Sequence, residues 1–126
     1  MPPVEQVLET ALYVDDLERS ARFYESVFGF ERIDSCERLI AMSVRERQVL
    51  LLFKKGASHD HDGTGRLHLA FSIQPSALVE WEEWLAQKGI SVESRRTWER
   101  GGHSLYFRDP DGHLLEVVTP GCWSIY

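Results

Sequence analysis

Three side chains in this sequence belong to the types that hold divalent cations or move protons: Glu9, His68 and Glu116. Each sits on its own strand-like run. Two carboxylates and one imidazole suit a hard or borderline divalent ion with coordination positions left for water or substrate. They do not suit a closed structural zinc site, which usually takes four ligands rich in Cys. The plain alternative is a strand histidine held by hydrogen bonds and an edge glutamate left in solvent. Glu116 makes the sharpest case. It closes the stretch Tyr106-Phe107-Arg108-Asp109-Pro110-Asp111-Gly112-His113-Leu114-Leu115-Glu116. The turn Asp109-Pro110-Asp111-Gly112 fits type I, with Pro second and Gly fourth. Strand alternation puts Leu114, Glu116 and Val118 on one face, and a carboxylate between two apolar neighbours must reach solvent, a cationic partner or a metal ion.

The elements that must position these groups are written twice along the chain. Val7 to Val14 reads as a strand. Asp15 or Asp16 can cap a helix with apolar residues Leu17, Ala21, Tyr24, Val27 and Phe28, and Gly29 ends it. Strand candidates follow at Phe30 to Cys36, Leu39 to Arg45 and Gln48 to Phe53, the last two joined by the polar turn Arg45-Glu46-Arg47. In the second half Leu67 to Ile73 reads as a strand, Pro75 suits a helix N-terminus, and Leu78, Trp81, Trp84 and Leu85 form an apolar stripe that stops at Gly89. Val92 to Trp98, Ser104 to Arg108 and Leu114 to Thr119 complete the repeat. The reading is an α+β chain of two βαβββ modules, at about 5–54 and 66–119, joined by a polar loop at 55–65 into a single domain spanning 1–126. A helix on one side of each sheet leaves the other side uncovered, so the two modules are expected to close a shared, cupped cavity.

Parity then assigns the candidates to that cavity. Leu8, Thr10, Leu12 and Val14 form the helix-packing face of the first strand, which turns Glu9 and Tyr13 the other way. Leu67, Leu69 and Phe71 belong against the second helix, which turns His68 outward. Around this set, Trp98 and Arg100 could supply an aromatic wall and an anion-binding guanidinium. His61 in the loop could reach over the cavity mouth, and Trp123 with Tyr126 could cap the pocket or a subunit interface. The charge runs Arg45-Glu46-Arg47 and Arg95-Arg96 read as solvated turns or strand edges.

The formal charge of -6 and the pI near 5.3 disfavour nucleic acid or an anionic membrane surface as partner and favour a small molecule. No apolar run approaches the ~20 residues that cross a bilayer, and Met1-Pro2-Pro3-Val4-Glu5 lacks the pattern of a secretory leader, so a soluble cytoplasmic location is expected. Cys36 and Cys122 are too few for a disulfide framework and read as reduced thiols.

Taken together, Ala11-Leu12-Tyr13-Val14-Asp15-Asp16-Leu17-Glu18-Arg19-Ser20 with Phe23-Tyr24 and Phe28-Gly29-Phe30, then His68-Leu69-Ala70-Phe71, then the hairpin ending at Glu116, resemble the vicinal oxygen chelate superfamily. Its members include lactoylglutathione lyase, extradiol dioxygenases, fosfomycin-resistance enzymes and bleomycin-resistance proteins. The resemblance implies a paired βαβββ (glyoxalase/bleomycin resistance) fold around a divalent ion, with His68 and Glu116 on two ligand positions. Glu9 falls where such proteins commonly carry His, as ligand or general base, and Leu51 falls where lactoylglutathione lyases place a fourth ligand. The implied ion is Mn, Fe, Ni, Zn or Mg, the two carboxylates favouring the harder ones. The implied chemistry is that of a lyase, isomerase, dioxygenase or thiol-transfer enzyme acting on a substrate chelated through adjacent oxygens, with Glu9 and Tyr106 as candidate catalytic groups. The alternative is a bleomycin-resistance-like protein that binds a drug without turnover. A homodimer is also expected, because open sheet edges invite pairing and the superfamily typically assembles this way.

Overall fold

The computed structural model describes residues 1–57, 63 and 65–126. The chain divides into two compact units, Met1–Gly65 and Arg66–Tyr126. Each is built as strand, helix and three strands, matching the repeat read from the sequence.

In the first module β1 (Glu9–Val14) leads into α1 (Leu17–Phe28), then β2 (Glu31–Ser35), β3 (Leu39–Arg45) and β4 (Gln48–Lys54). The sheet order is β1-β4-β3-β2, with β1 parallel to β4 and the remaining pairs antiparallel. Asp16 caps α1 through its side chain, which accepts from the Arg19 N–H at 3.0 Å, and Gly29 ends the helix in the left-handed region at φ 70. Directly opposed residues share a face. The register therefore groups Leu12, Val14, Ile40, Met42, Leu50 and Leu52 on one side, all within 2% of full burial. This side and the buried stripe Ala21, Tyr24 and Val27 of α1 form the module's core. Val7 and Leu8 lie ahead of β1 and are exposed, so the first strand is shorter than its apolar run suggests. The paired register with β4 begins at Glu9, while the Leu8 carbonyl accepts from the Val49 N–H at 2.9 Å.

The second module begins at β5 (His68–Ser72), passes through a short 3₁₀ turn at Pro75–Ala77 into α2 (Leu78–Gln87), and continues as β6 (Ser94–Thr97), β7 (His103–Arg108) and β8 (Leu114–Val118). Its sheet order, β5-β8-β7-β6, repeats that of the first module. Pro75 thus opens the 3₁₀ turn ahead of the helix rather than the helix itself. The core face carries Leu105, Phe107, Leu115 and Val117, with Leu85 as the fully buried residue of α2. Trp84 is at the solvent border under the Lys88 ammonium, 4.4 Å from its ring, because the stripe of a short helix at a module surface is only partly covered.

The β7–β8 turn takes the expected form. The Gly112 N–H donates to the Asp109 carbonyl at 3.0 Å, and Asp109 Oδ1 accepts from the N–H groups of Asp111 and His113. The buried His113 ring then accepts from the Leu67 N–H through Nδ1 at 2.9 Å, tying the end of this turn to the start of β5. That fixes the parallel β5–β8 register on which the next contacts depend.

Candidate metal centre

The register of the second module dictates which side chains meet. Ala70 lies opposite Glu116, and Tyr106 lies opposite Glu116 from the other side. Ser94 opposes Tyr106 and Arg96 opposes Ser104. By alternation, His68, Glu116, Ser104, Tyr106 and Arg96 all share the face of the sheet away from the core.

On that face His68 Nε2 stands 2.9 Å from Glu116 Oε2. The two side chains differ sharply in exposure: 49% for His68 and 6% for Glu116. The other carboxylate oxygen, Oε1, accepts from the Ser104 hydroxyl at 2.5 Å, and Ser104 Oγ in turn accepts from the Trp98 indole N–H at 2.8 Å. Burying a carboxylate costs several kcal/mol, offset here by charge-assisted hydrogen bonds worth about 1.5–3 kcal/mol each. A carboxylate on this face needs solvent, a cation or a metal; the fold supplies a serine hydroxyl and an imidazole. The Tyr106 ring is tilted beside His68, 6.2 Å between centroids. Burial pushes its phenol above the ordinary value, and hydrogen bonding and charge from Glu116 push the same way, while Ser104 and the Arg96 guanidinium oppose. The phenol is thus held protonated at neutral pH and is a donor.

The remaining candidates divide. Trp98 joins the site through its indole, and Trp123 tilts against it, 6.2 Å between ring centroids, while 66% exposed. Arg100 lies exposed in the β6–β7 turn, which is closed by the Trp98 N–H on the Gly102 carbonyl. Arg96 reaches the face that carries Glu116, with its guanidinium 3.9 Å over the Trp98 ring. Reading Arg95-Arg96 as one solvated run missed this, since alternation sends Arg95 to Glu82 on α2 and Arg96 to the opposite face. Ser104 was also missed; its signal was that it is two residues before Tyr106 on the same strand. Tyr126 holds the tail by donating to the Val118 carbonyl at 3.0 Å. Glu9 opens β1 and Tyr13 stacks on Phe53 at 5.7 Å, both in the first module. His61 lies outside the described residues. Among the described residues, no three His, Cys, Asp or Glu side chains gather as a metal-holding group.

Two mixed four-stranded sheets in a repeated βαβββ plan, one presenting a paired imidazole and buried carboxylate, define a class of small α+β proteins made of two like modules. The chain belongs to the Glyoxalase/Bleomycin resistance protein/Dioxygenase superfamily, whose model matches residues 6–117. It is 33% identical over 107 residues to a metallothiol transferase FosB of Bacillus licheniformis, covering 84% of this chain and 70% of that protein. A FosB of Lysinibacillus sphaericus is 30% identical over 117 residues, covering 92% and 83%. Among solved structures, lactoylglutathione lyase from Agrobacterium tumefaciens matches with a TM-score of 0.87 and 31% identity, covering 98% of this chain and 99% of that one.

Proposed function

We propose that this protein is a metal-dependent enzyme that holds a small oxygenated substrate through adjacent oxygens and transfers a thiol to it. The observation that carries the reading is the His68–Glu116 pair: an imidazole nitrogen and a carboxylate oxygen 2.9 Å apart, the carboxylate buried and aimed by Ser104. An imidazole and a carboxylate with one oxygen already fixed form a donor set that fits a divalent ion. His68 and Glu116 would hold it, and Glu9, from this chain or from a second copy in a homodimer, would be the third ligand. When bound, the ion supplies Lewis-acid polarisation of the substrate oxygens. Tyr106, protonated and beside the pair, donates to a substrate oxygen. Arg96 offsets negative charge on the same face and favours an anionic substrate group. The thiol-transfer assignment rests on the metallothiol transferases among its relatives. No helix among the described residues is long and apolar enough to cross a membrane, and we place the protein in the cytoplasm, where thiol co-substrates are reduced.

The test is metal analysis of protein purified without chelator, together with a coupled assay of thiol consumption against fosfomycin and other small epoxides or dicarbonyls. Wild type should carry about one divalent ion per chain and consume thiol, and Glu116→Ala and His68→Ala should lose both. Equal metal content in all three proteins overturns the metal reading. Tight ligand binding without metal or turnover would favour a sequestering protein instead.

A further inference from the structure

The Trp98 indole reaches the buried carboxylate of Glu116 through Ser104. Its N–H donates to Ser104 Oγ at 2.8 Å, and the serine, so occupied as acceptor, has its own proton left for Glu116 Oε1 at 2.5 Å. A free serine hydroxyl can rotate among three staggered directions; one that must accept from an indole on one side is restricted to donate on the other. Ser104 is 1% exposed, so water does not compete for either bond.

Trp98 is itself held. The β6–β7 turn is closed by its N–H on the Gly102 carbonyl, and Gly102 donates to the Gly121 carbonyl at 3.2 Å. A Cβ at Gly121 would lie 2.5 Å from the Gly102 nitrogen, so the tail can approach this turn only with glycine there. The approach brings Trp123 against one part of the Trp98 ring while Arg96 stacks over it. A chain of contacts therefore runs from the C-terminal tail to one oxygen of the carboxylate.

We infer that Trp98 and Ser104 are positioning residues that fix Glu116 Oε1, and so present Oε2 to the site shared with His68. This rests on the metal reading above, but the relay has a signature of its own in the metal-free protein. The Trp98 indole N–H resonance, assigned by its disappearance in Trp98→Phe, should lie downfield in wild type and move upfield in Ser104→Ala. Titration with Zn²⁺, followed by the same resonance and by calorimetry, should move it in wild type but not in Ser104→Ala. The Zn²⁺ affinity should fall roughly 10- to 100-fold in Ser104→Ala and less in Trp98→Phe, the range typical of outer-shell partners of a metal ligand. An indole resonance indifferent to Ser104→Ala overturns the relay, whether or not metal binds. Unchanged Zn²⁺ affinity in both variants overturns its positioning role. Absence of Zn²⁺ binding by wild type, with the resonance shift intact, overturns the metal reading and the positioning role with it, leaving a relay that only braces the carboxylate.

Discussion

Replacing Glu116 by Gln separates the metal from the fold. The carboxylate is 5% exposed, with Oε1 on Ser104 and Oε2 facing His68. Glutamine keeps the shape, and its carbonyl oxygen still accepts from Ser104, so a charge-assisted bond of about 1.5–3 kcal/mol becomes a neutral one of about 1 kcal/mol. Against this, the substitution removes a buried charge whose desolvation costs several kcal/mol. The opposed terms are of similar size, and the metal-free variant should stay within about 1 kcal/mol of wild type. The metal-linked term behaves differently. An ion present at 100 times its dissociation constant stabilises the native state by about 2.7 kcal/mol. At roughly 4 °C per kcal/mol for a domain of this size, that is about 10 °C in Tm. If the amide weakens the site by at least the roughly 100-fold that loss of an outer-shell partner can cost, the same concentration yields about 0.4 kcal/mol, under 2 °C. Scanning calorimetry of chelator-treated wild type and Glu116→Gln, each with and without Zn²⁺, reads all four quantities. An equal Zn²⁺-dependent rise in both proteins would refute the assignment of Glu116 as a ligand.

Other perturbations test the scaffold. Asp16→Ala removes the acceptor that caps α1 and should cost about 1 kcal/mol, read as a lower urea midpoint at unchanged m-value. Gly112→Ala places a side chain at φ +82 with its Cβ 2.8 Å from the Arg66 Nε; left-handed strain alone is about 1–2 kcal/mol, and a neutral or stabilising result would show that the turn is not so constrained. The Glu18 and Glu93 carboxylates are held below the ordinary value, chiefly by hydrogen bonds from Arg32 and Arg108 respectively. For a depressed carboxylate the stability is present above its unfolded value near 4.5 and is lost as pH falls through the folded one. Urea midpoints should therefore fall between pH 5 and pH 3, and less steeply in the double variant Glu18→Gln, Glu93→Gln; parallel curves would refute the coupling.

Much of the architecture was legible because its signals are local. The Asp16 cap, the Gly29 stop and the Asp109-Pro110-Asp111-Gly112 turn each follow from one or two residues whose backbone preferences admit few alternatives. The position of Glu116 on the face opposite Leu115 and Val117 followed from strand parity. What the sequence did not show were the roles of Ser104 and Arg96. Both depend on the β6–β7 and β7–β8 registers, which bring residues distant along the chain into opposition, and register is a tertiary property. Trp98 illustrates the difference: it was singled out as part of an aromatic wall, whereas its contribution to the site is a polar one through the indole N–H. Trp84 shows the converse, since helical spacing put it in the core stripe but could not say where the stripe leaves cover.

The unequal burial of the paired His68 and Glu116 has a physical logic. A carboxylate that is deeply buried and fixed at one oxygen loses little further freedom when it takes up an ion, so the cost of ordering it is met during folding. His68, half exposed at the start of an edge strand, leaves its side of the pair open to solvent. The position of that imidazole depends on β5 staying in register with β8, and the buried His113 clamps that register where the two strands begin. In the first module the position on β8 that holds Glu116 is matched on β4 by an apolar run, Val49-Leu50-Leu51-Leu52, so among the described residues the equivalent place carries no carboxylate.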